Sequence, residues 1–159
     1  MEKIASFTID HNVLKKGLYI SRVDGDAVTY DLRMKLPNAG DFLSTGTAHT
    51  IEHLLATFLR NSEIRDQVIY VGPMGCRTGF YVILRDAVSK EEAILRIRDG
   101  LRFIESFDGE IPGAKKEECG NYLDHDLPGA RAVAMEMSGI LEKWTEEDLK
   151  YPEKESGRE

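Results

Sequence analysis

The sequence predicts an α+β fold in which one antiparallel sheet carries amphipathic helices on one of its faces, all within a single domain. Three observations predict it. Two pairs of β-rich segments are each joined across a glycine-bearing break, and three helix-period segments keep their apolar residues to one face. The third is an apolar share of 42% in 159 residues, enough to bury one core. The domain is expected over 1–149, with 150–159 as a polar, disordered tail.

Segments 18–22 and 27–36 carry β-branched and aromatic residues on either side of Asp24-Gly25-Asp26. Glycine tolerates the positive φ of a tight turn, so these two form a hairpin. Pro37-Asn38-Ala39-Gly40 breaks the pattern, and Ser44, Thr45 and Thr47 then offer N-caps for a helix over 49–61. Its stripe is Ile51, Leu54, Leu55, Phe58 and Leu59. Two more strands, 67–71 and 78–84, flank Gly72-Pro73-Met74-Gly75-Cys76, whose Gly and Pro exclude regular pairing and put Cys76 on a loop. Ser89 with Glu92 forms a capping box for a helix reaching about residue 107, buried through Ile94, Ile97, Leu101 and Ile104. A short helical turn is expected over 114–118. A last helix starts near Asp126, with Pro128 in its first turn, and is expected to bury Val133, Met137, Ile140, Leu141 and Trp144.

The 21 basic residues against 28 acidic ones give a net charge of −7, which argues against broad binding to nucleic acid or to anionic membranes. The chain opens on Met1-Glu2-Lys3 with no leader pattern and has no apolar run of about 18 residues, so a cytoplasmic location without a membrane partner is expected. In that compartment two cysteines, Cys76 and Cys119, serve catalysis or metal binding more often than a structural bridge.

His49 and His53 are four apart on the first helix, so their imidazoles project one turn apart from one face, the spacing at which two nitrogens bind one metal ion. Glu52 lies beside them. H-x-x-E-H is a known metal arrangement that leaves the glutamate free to move protons. A catalytic metal takes three protein ligands and one open position. The third-ligand candidates are Cys119, His125, His11, Asp10, Asp124 and Cys76. Cys119 is chosen: Gly120 after it lets the chain turn, and a thiolate suits zinc or ferrous iron. His125, between two aspartates, reads instead as part of a helix N-terminus. Cys76, between Gly75 and Arg77, is accessible, with a positive charge at hand to favour its thiolate, and reads as an acid/base.

Taken in order, these residues resemble the S-ribosylhomocysteine lyase (LuxS) family over nearly the whole chain. The likeness runs through Ser6-Phe7-Thr8-Ile9-Asp10-His11-Asn12, Asp31-Leu32-Arg33 with Pro37-Asn38, His49-Thr50-Ile51-Glu52-His53-Leu54, Pro73-Met74-Gly75-Cys76-Arg77-Thr78-Gly79-Phe80-Tyr81 and Cys119-Gly120. The Pro73 to Tyr81 block is the most specific. The resemblance implies that His49, His53 and Cys119 hold a divalent metal, Fe2+ natively with Zn2+ or Co2+ able to substitute. It implies that Glu52 and Cys76 move protons and that Ser6, His11 and Arg33 line the substrate pocket, with Arg33 a positioning or electrostatic group. The reaction implied converts S-ribosylhomocysteine to homocysteine and dihydroxypentanedione, an autoinducer precursor used in quorum sensing, in a homodimer with active sites at the interface. This sequence departs from the family pattern at Tyr70, at Gly72 and at Met34-Lys35.

Two other readings use the same residues. A metallohydrolase of the inverted zincin kind would have Glu52 activate a metal-bound water, but leaves Cys76 without a task. A non-catalytic structural metal module would take Cys76 as fourth ligand and close the site.

Overall fold

The computed structural model describes residues 1–153. A four-stranded sheet, in the order β1-β2-β4-β3, is antiparallel throughout and carries three helices, the α+β arrangement expected. The strands are β1 (Gly17–Asp24), β2 (Ala27–Arg33), β3 (Val68–Pro73) and β4 (Gly79–Arg85); the helices are α1 (Thr45–Arg60), α2 (Lys90–Glu105) and α3 (Leu127–Leu141).

Alternation along the strands sorts side chains between two faces. Leu18, Val28, Tyr30, Leu32, Phe80, Val82 and Leu84 join the core beneath the helices. Tyr19, Thr29, Asp31, Arg33, Tyr81 and Ile83 lie on the other face. The β1–β2 hairpin turns at Gly25, φ 60°, as the Asp-Gly-Asp signal implied. Strand β2 stops at Arg33, short of the expected residue 36, because the amides of Met34 and Lys35 both converge on the Thr78 carbonyl, at 2.8 and 2.9 Å. That convergence fixes the start of β4 beside the end of β2.

Helix α1 begins four residues before the expected 49, since Ser44 is its N-cap and its hydroxyl accepts the Thr47 amide at 3.1 Å. Ile51, Leu54, Leu55 and Leu59 are wholly buried, and Phe58 packs half-buried on Phe103 of α2. The two helices approach closely at Gly100, where a Cβ would meet Leu55 and Phe58. Helix α2 is capped by Ser89, whose hydroxyl accepts the Glu92 amide at 3.1 Å.

Helix α3 starts at the expected place, with Asp126 as N-cap, but its buried face is Ala130, Ala134, Met137, Ser138 and Leu141. Val133, Ile140 and Trp144 are only partly buried, since small residues let α3 lie close on α2. Trp144 follows the helix and donates its indole N–H to the Leu18 carbonyl at 2.8 Å. The expected helical turn over 114–118 is a single hydrogen-bonded turn, with Glu118 and Cys119 amides both on the Lys115 carbonyl.

The segment expected as a disordered tail begins ordered. Tyr151 stacks on Tyr19 at 5.1 Å between ring centroids and donates its hydroxyl to Asp31 Oδ2 at 2.7 Å. The rest of that expected tail, 154–159, lies outside the described residues. No helix among the described residues is long and apolar enough to cross a membrane.

Candidate metal centre

The first half of α1 is joined to the segment before α3 by a set of polar contacts. Thr50, wholly buried, accepts the Asp126 amide on its hydroxyl oxygen at 2.9 Å, and Asp126 in turn accepts from the Thr47 hydroxyl at 3.2 Å. The two helix starts therefore hold each other, and residues 119–126 lie against Gly46, His49 and Thr50 of α1.

Both imidazoles of the H-x-x-E-H run are oriented by backbone carbonyls. His49 Nδ1 is 2.8 Å from the Asp124 carbonyl, and His53 Nδ1 is 2.8 Å from the Pro112 carbonyl. A carbonyl can only accept, so each ring carries its proton on Nδ1 and leaves the Nε2 lone pair free, the tautomer that a metal ligand requires. The Cys119 sulfur lies 3.3 Å from His49 Nε2. His125 completes the cluster: its ring stacks on His49 at 4.1 Å and 19°, and donor atoms of His49, His53 and His125 all gather within 4.8 Å. Its Nδ1 pairs with Thr50 Oγ1 at 2.9 Å, while its buried Nε2 has no hydrogen-bond partner among the described residues. Burial first, then the neighbouring His49 and His53, hold His125 below the ordinary histidine range, so it is neutral at pH 7.

The loop after α2 shapes this wall. Gly113, φ 76°, brings its backbone so close to the His53 ring that a Cβ would stand 3.0 Å from Nδ1. Gly113→Ala is therefore expected to strain the loop by about 1–2 kcal/mol and to loosen the Pro112 hold on His53. Metal affinity measured by chelator competition should fall about 10-fold or more while the circular-dichroism spectrum stays that of the native fold.

Glu52 and His49 share a groove of about 390 Å³ with Pro73, Met74, Gly75 and Arg77. The Glu52 carboxylate makes no hydrogen bond or ion pair among the described residues, so it stands open for proton transfer. Cys76 is exposed at the end of that same loop, and both cysteines are free thiols. Arg33 is 2% exposed, clamped through Nε and Nη2 onto both oxygens of Asp31 at 3.1 and 2.7 Å. Burial works against its charge, but the hydrogen bonds and charge of Asp31 outweigh it and push the guanidinium up. Ser6 lies elsewhere, in a cavity of about 220 Å³ on the helix-free face of the sheet with Ser21, Thr29, Tyr70 and Tyr81. His11 is half-buried with its Nδ1 on the Ile9 carbonyl at 2.9 Å.

Comparison with known proteins shows the family of the chain. Residues 4–148 match the model of the family described as S-ribosylhomocysteinase (LuxS). The chain belongs to the LuxS family. Membership makes it an enzyme, a carbon–sulfur lyase by class. Among its relatives, one from Clostridium acetobutylicum is 48% identical over 96% of this chain and 100% of its own length. Others from Phocaeicola vulgatus and Porphyromonas gingivalis are 47% and 44% identical over 98% and 96% of this chain, and each is covered over 100% of its length. All three carry the name S-ribosylhomocysteine lyase.

Tyr70 and Gly72 are in contact. The Tyr70 ring lies against Gly72, where any Cβ would collide with its hydroxyl. A side chain at 72 would have to displace this half-exposed ring. His125, which by sequence reads as part of a helix N-terminus, belongs to the cluster; its signal in the sequence is a histidine six residues beyond Cys119.

Proposed function

We propose that this chain cleaves S-ribosylhomocysteine to homocysteine and 4,5-dihydroxy-2,3-pentanedione, the autoinducer precursor, with His49, His53 and Cys119 holding one divalent metal. The observation that carries this reading is the pair of carbonyl-oriented imidazoles with free Nε2 atoms beside a thiol and a carboxylate unpaired among the described residues. Two imidazole nitrogens and one soft sulfur fit ferrous iron, with zinc or cobalt as replacements. Cys119 suits the third place better than His125, because the in-plane lone pairs of two nearly parallel rings, His49 and His125, do not converge on one ion. When bound, the cation supplies Lewis-acid stabilisation of the negative charge that develops on sugar oxygens during enolisation.

The chain's own groups handle the protons. Two aldose–ketose shifts carry the ribose carbonyl to the third carbon, after which the neighbouring C–H is acidic enough to be lost with expulsion of the homocysteine thiolate. Cys76 serves as base in the early shifts, and Glu52 moves the proton in the later shifts and the elimination. Arg33 acts from beneath as an electrostatic group. Ser6 and His11 bind substrate in the reading that two chains form the active unit. The support is that Ser6 opens onto the helix-free sheet face next to exposed Ile4, Phe7 and Tyr70, apolar groups that a second copy would cover while bringing Ser6 and His11 to its metal centre.

The hydrolase reading still leaves Cys76 without a task, and the structural-module reading needs Cys76 as a fourth donor, whereas its sulfur faces Thr78 at 3.0 Å. Protein loaded with ferrous iron should release one free thiol per S-ribosylhomocysteine consumed, read with a thiol-reactive dye. Fully metallated protein that releases none would refute the proposal.

A further inference from the structure

The Thr78 hydroxyl sits between two groups that determine its direction. Arg33, having spent Nε and Nη2 on Asp31, points Nη1 at Thr78 Oγ1, 2.7 Å away. A guanidinium only donates, so the Thr78 oxygen accepts there and its single proton must go elsewhere. Cys76 Sγ lies 3.0 Å from the same oxygen. The far end of the chain is fixed as well: the Tyr151 hydroxyl donates to Asp31, and Asp31 and Thr78 are 0% and 3% exposed. Only Cys76, at the outer end, faces solvent.

We propose that Thr78 is a positioning residue for Cys76, donating its hydroxyl proton to the Cys76 sulfur and holding it as a thiolate, with Asp31 and Arg33 fixing the direction of that bond. The inference rests on the reading of Cys76 as a proton-moving thiol. Asp31 occupies two guanidinium nitrogens in a two-point clamp; the Arg33 charge still acts on Cys76 through space, and the Thr78 hydroxyl adds an aimed O–H donor at the sulfur. The other groups facing this corner do not replace it. Tyr81, from β4, is pushed up by burial first and then by Asp31, so it stays neutral. Arg77, next along the chain, turns its guanidinium to the Leu43 carbonyl at 3.4 Å.

The test is iodoacetamide alkylation of the zinc-loaded protein, with the Cys76 peptide quantified by mass spectrometry at pH 6.5 and pH 10. Thr78→Val, which keeps the shape and removes the hydroxyl, should alkylate about tenfold more slowly than the natural protein at pH 6.5 and equally fast at pH 10. Thr78→Ser should restore the pH 6.5 rate to within about threefold. If thermal unfolding shows that Thr78→Val does not fold, Thr78→Ala carries the same expectation. A folded variant without the hydroxyl that alkylates like the natural protein at pH 6.5, or a serine variant no faster than valine, overturns the relay. A natural protein that alkylates fast at pH 6.5 and releases no thiol from S-ribosylhomocysteine overturns the proposed function and leaves the relay standing.

Discussion

Glu52→Gln is expected to leave the metal in place and to cut thiol release by about two to four orders of magnitude. The side chain keeps its shape, so the groove it shares with His49 and the Pro73 loop is preserved. What disappears is the only carboxylate in that groove's α1 wall that can take and return a proton. The expected split is diagnostic: metal content by elemental analysis unchanged, KM changed little, kcat lost. Loss of metal together with activity would mean that Glu52 is a ligand, and unchanged activity would remove it from the chemistry.

Cys119→Ala should give the opposite pattern. Removing the sulfur takes away one of three donors, and affinity for zinc should fall by more than the roughly 10–100-fold that follows from losing an outer hydrogen-bond partner of a ligand. The His49 and His53 rings remain held by the Asp124 and Pro112 carbonyls, so the fold and its melting temperature without metal should change little. Full metal occupancy in Cys119→Ala, measured after dialysis against a weak chelator, would assign the third place to another group.

Much of this arrangement is legible in the sequence because it is local. The Gly25 turn, the Ser44 and Ser89 caps and the three-four spacing of Ile51, Leu54, Leu55 and Leu59 each depend on residues within a turn or two of one another. The same spacing displays His49 and His53 on one face, which is why that pair can be read before the fold. What is not legible depends on contacts across the chain. Arg33 reads as a group lining the substrate pocket, but nothing in its neighbourhood of the sequence shows that Tyr151, 120 residues from its hydrogen-bond partner Asp31, bonds to the Asp31–Arg33 pair from a segment whose polarity suggests a loose end. The end of β2 is set by the Thr78 carbonyl, 44 residues from Met34, and no propensity encodes that. His125 reads as a helix-start residue, and it does precede the Asp126 cap, but its ring is turned inward by Thr50 and stacks on His49. The distance of Ser6 from the centre is likewise invisible to a motif, since a motif records residue types and not which face of a sheet they occupy.

The most direct test of the account is anomalous diffraction from crystals of the zinc- or iron-loaded protein. It predicts one metal per chain, bonded to His49 Nε2 and His53 Nε2 at about 2.0–2.1 Å and to Cys119 Sγ at about 2.3 Å, with water or substrate oxygen in the fourth position. A centre whose fourth position is filled by a side chain of the protein, such as His125 or Cys76, or one from which Cys119 is absent, would contradict it.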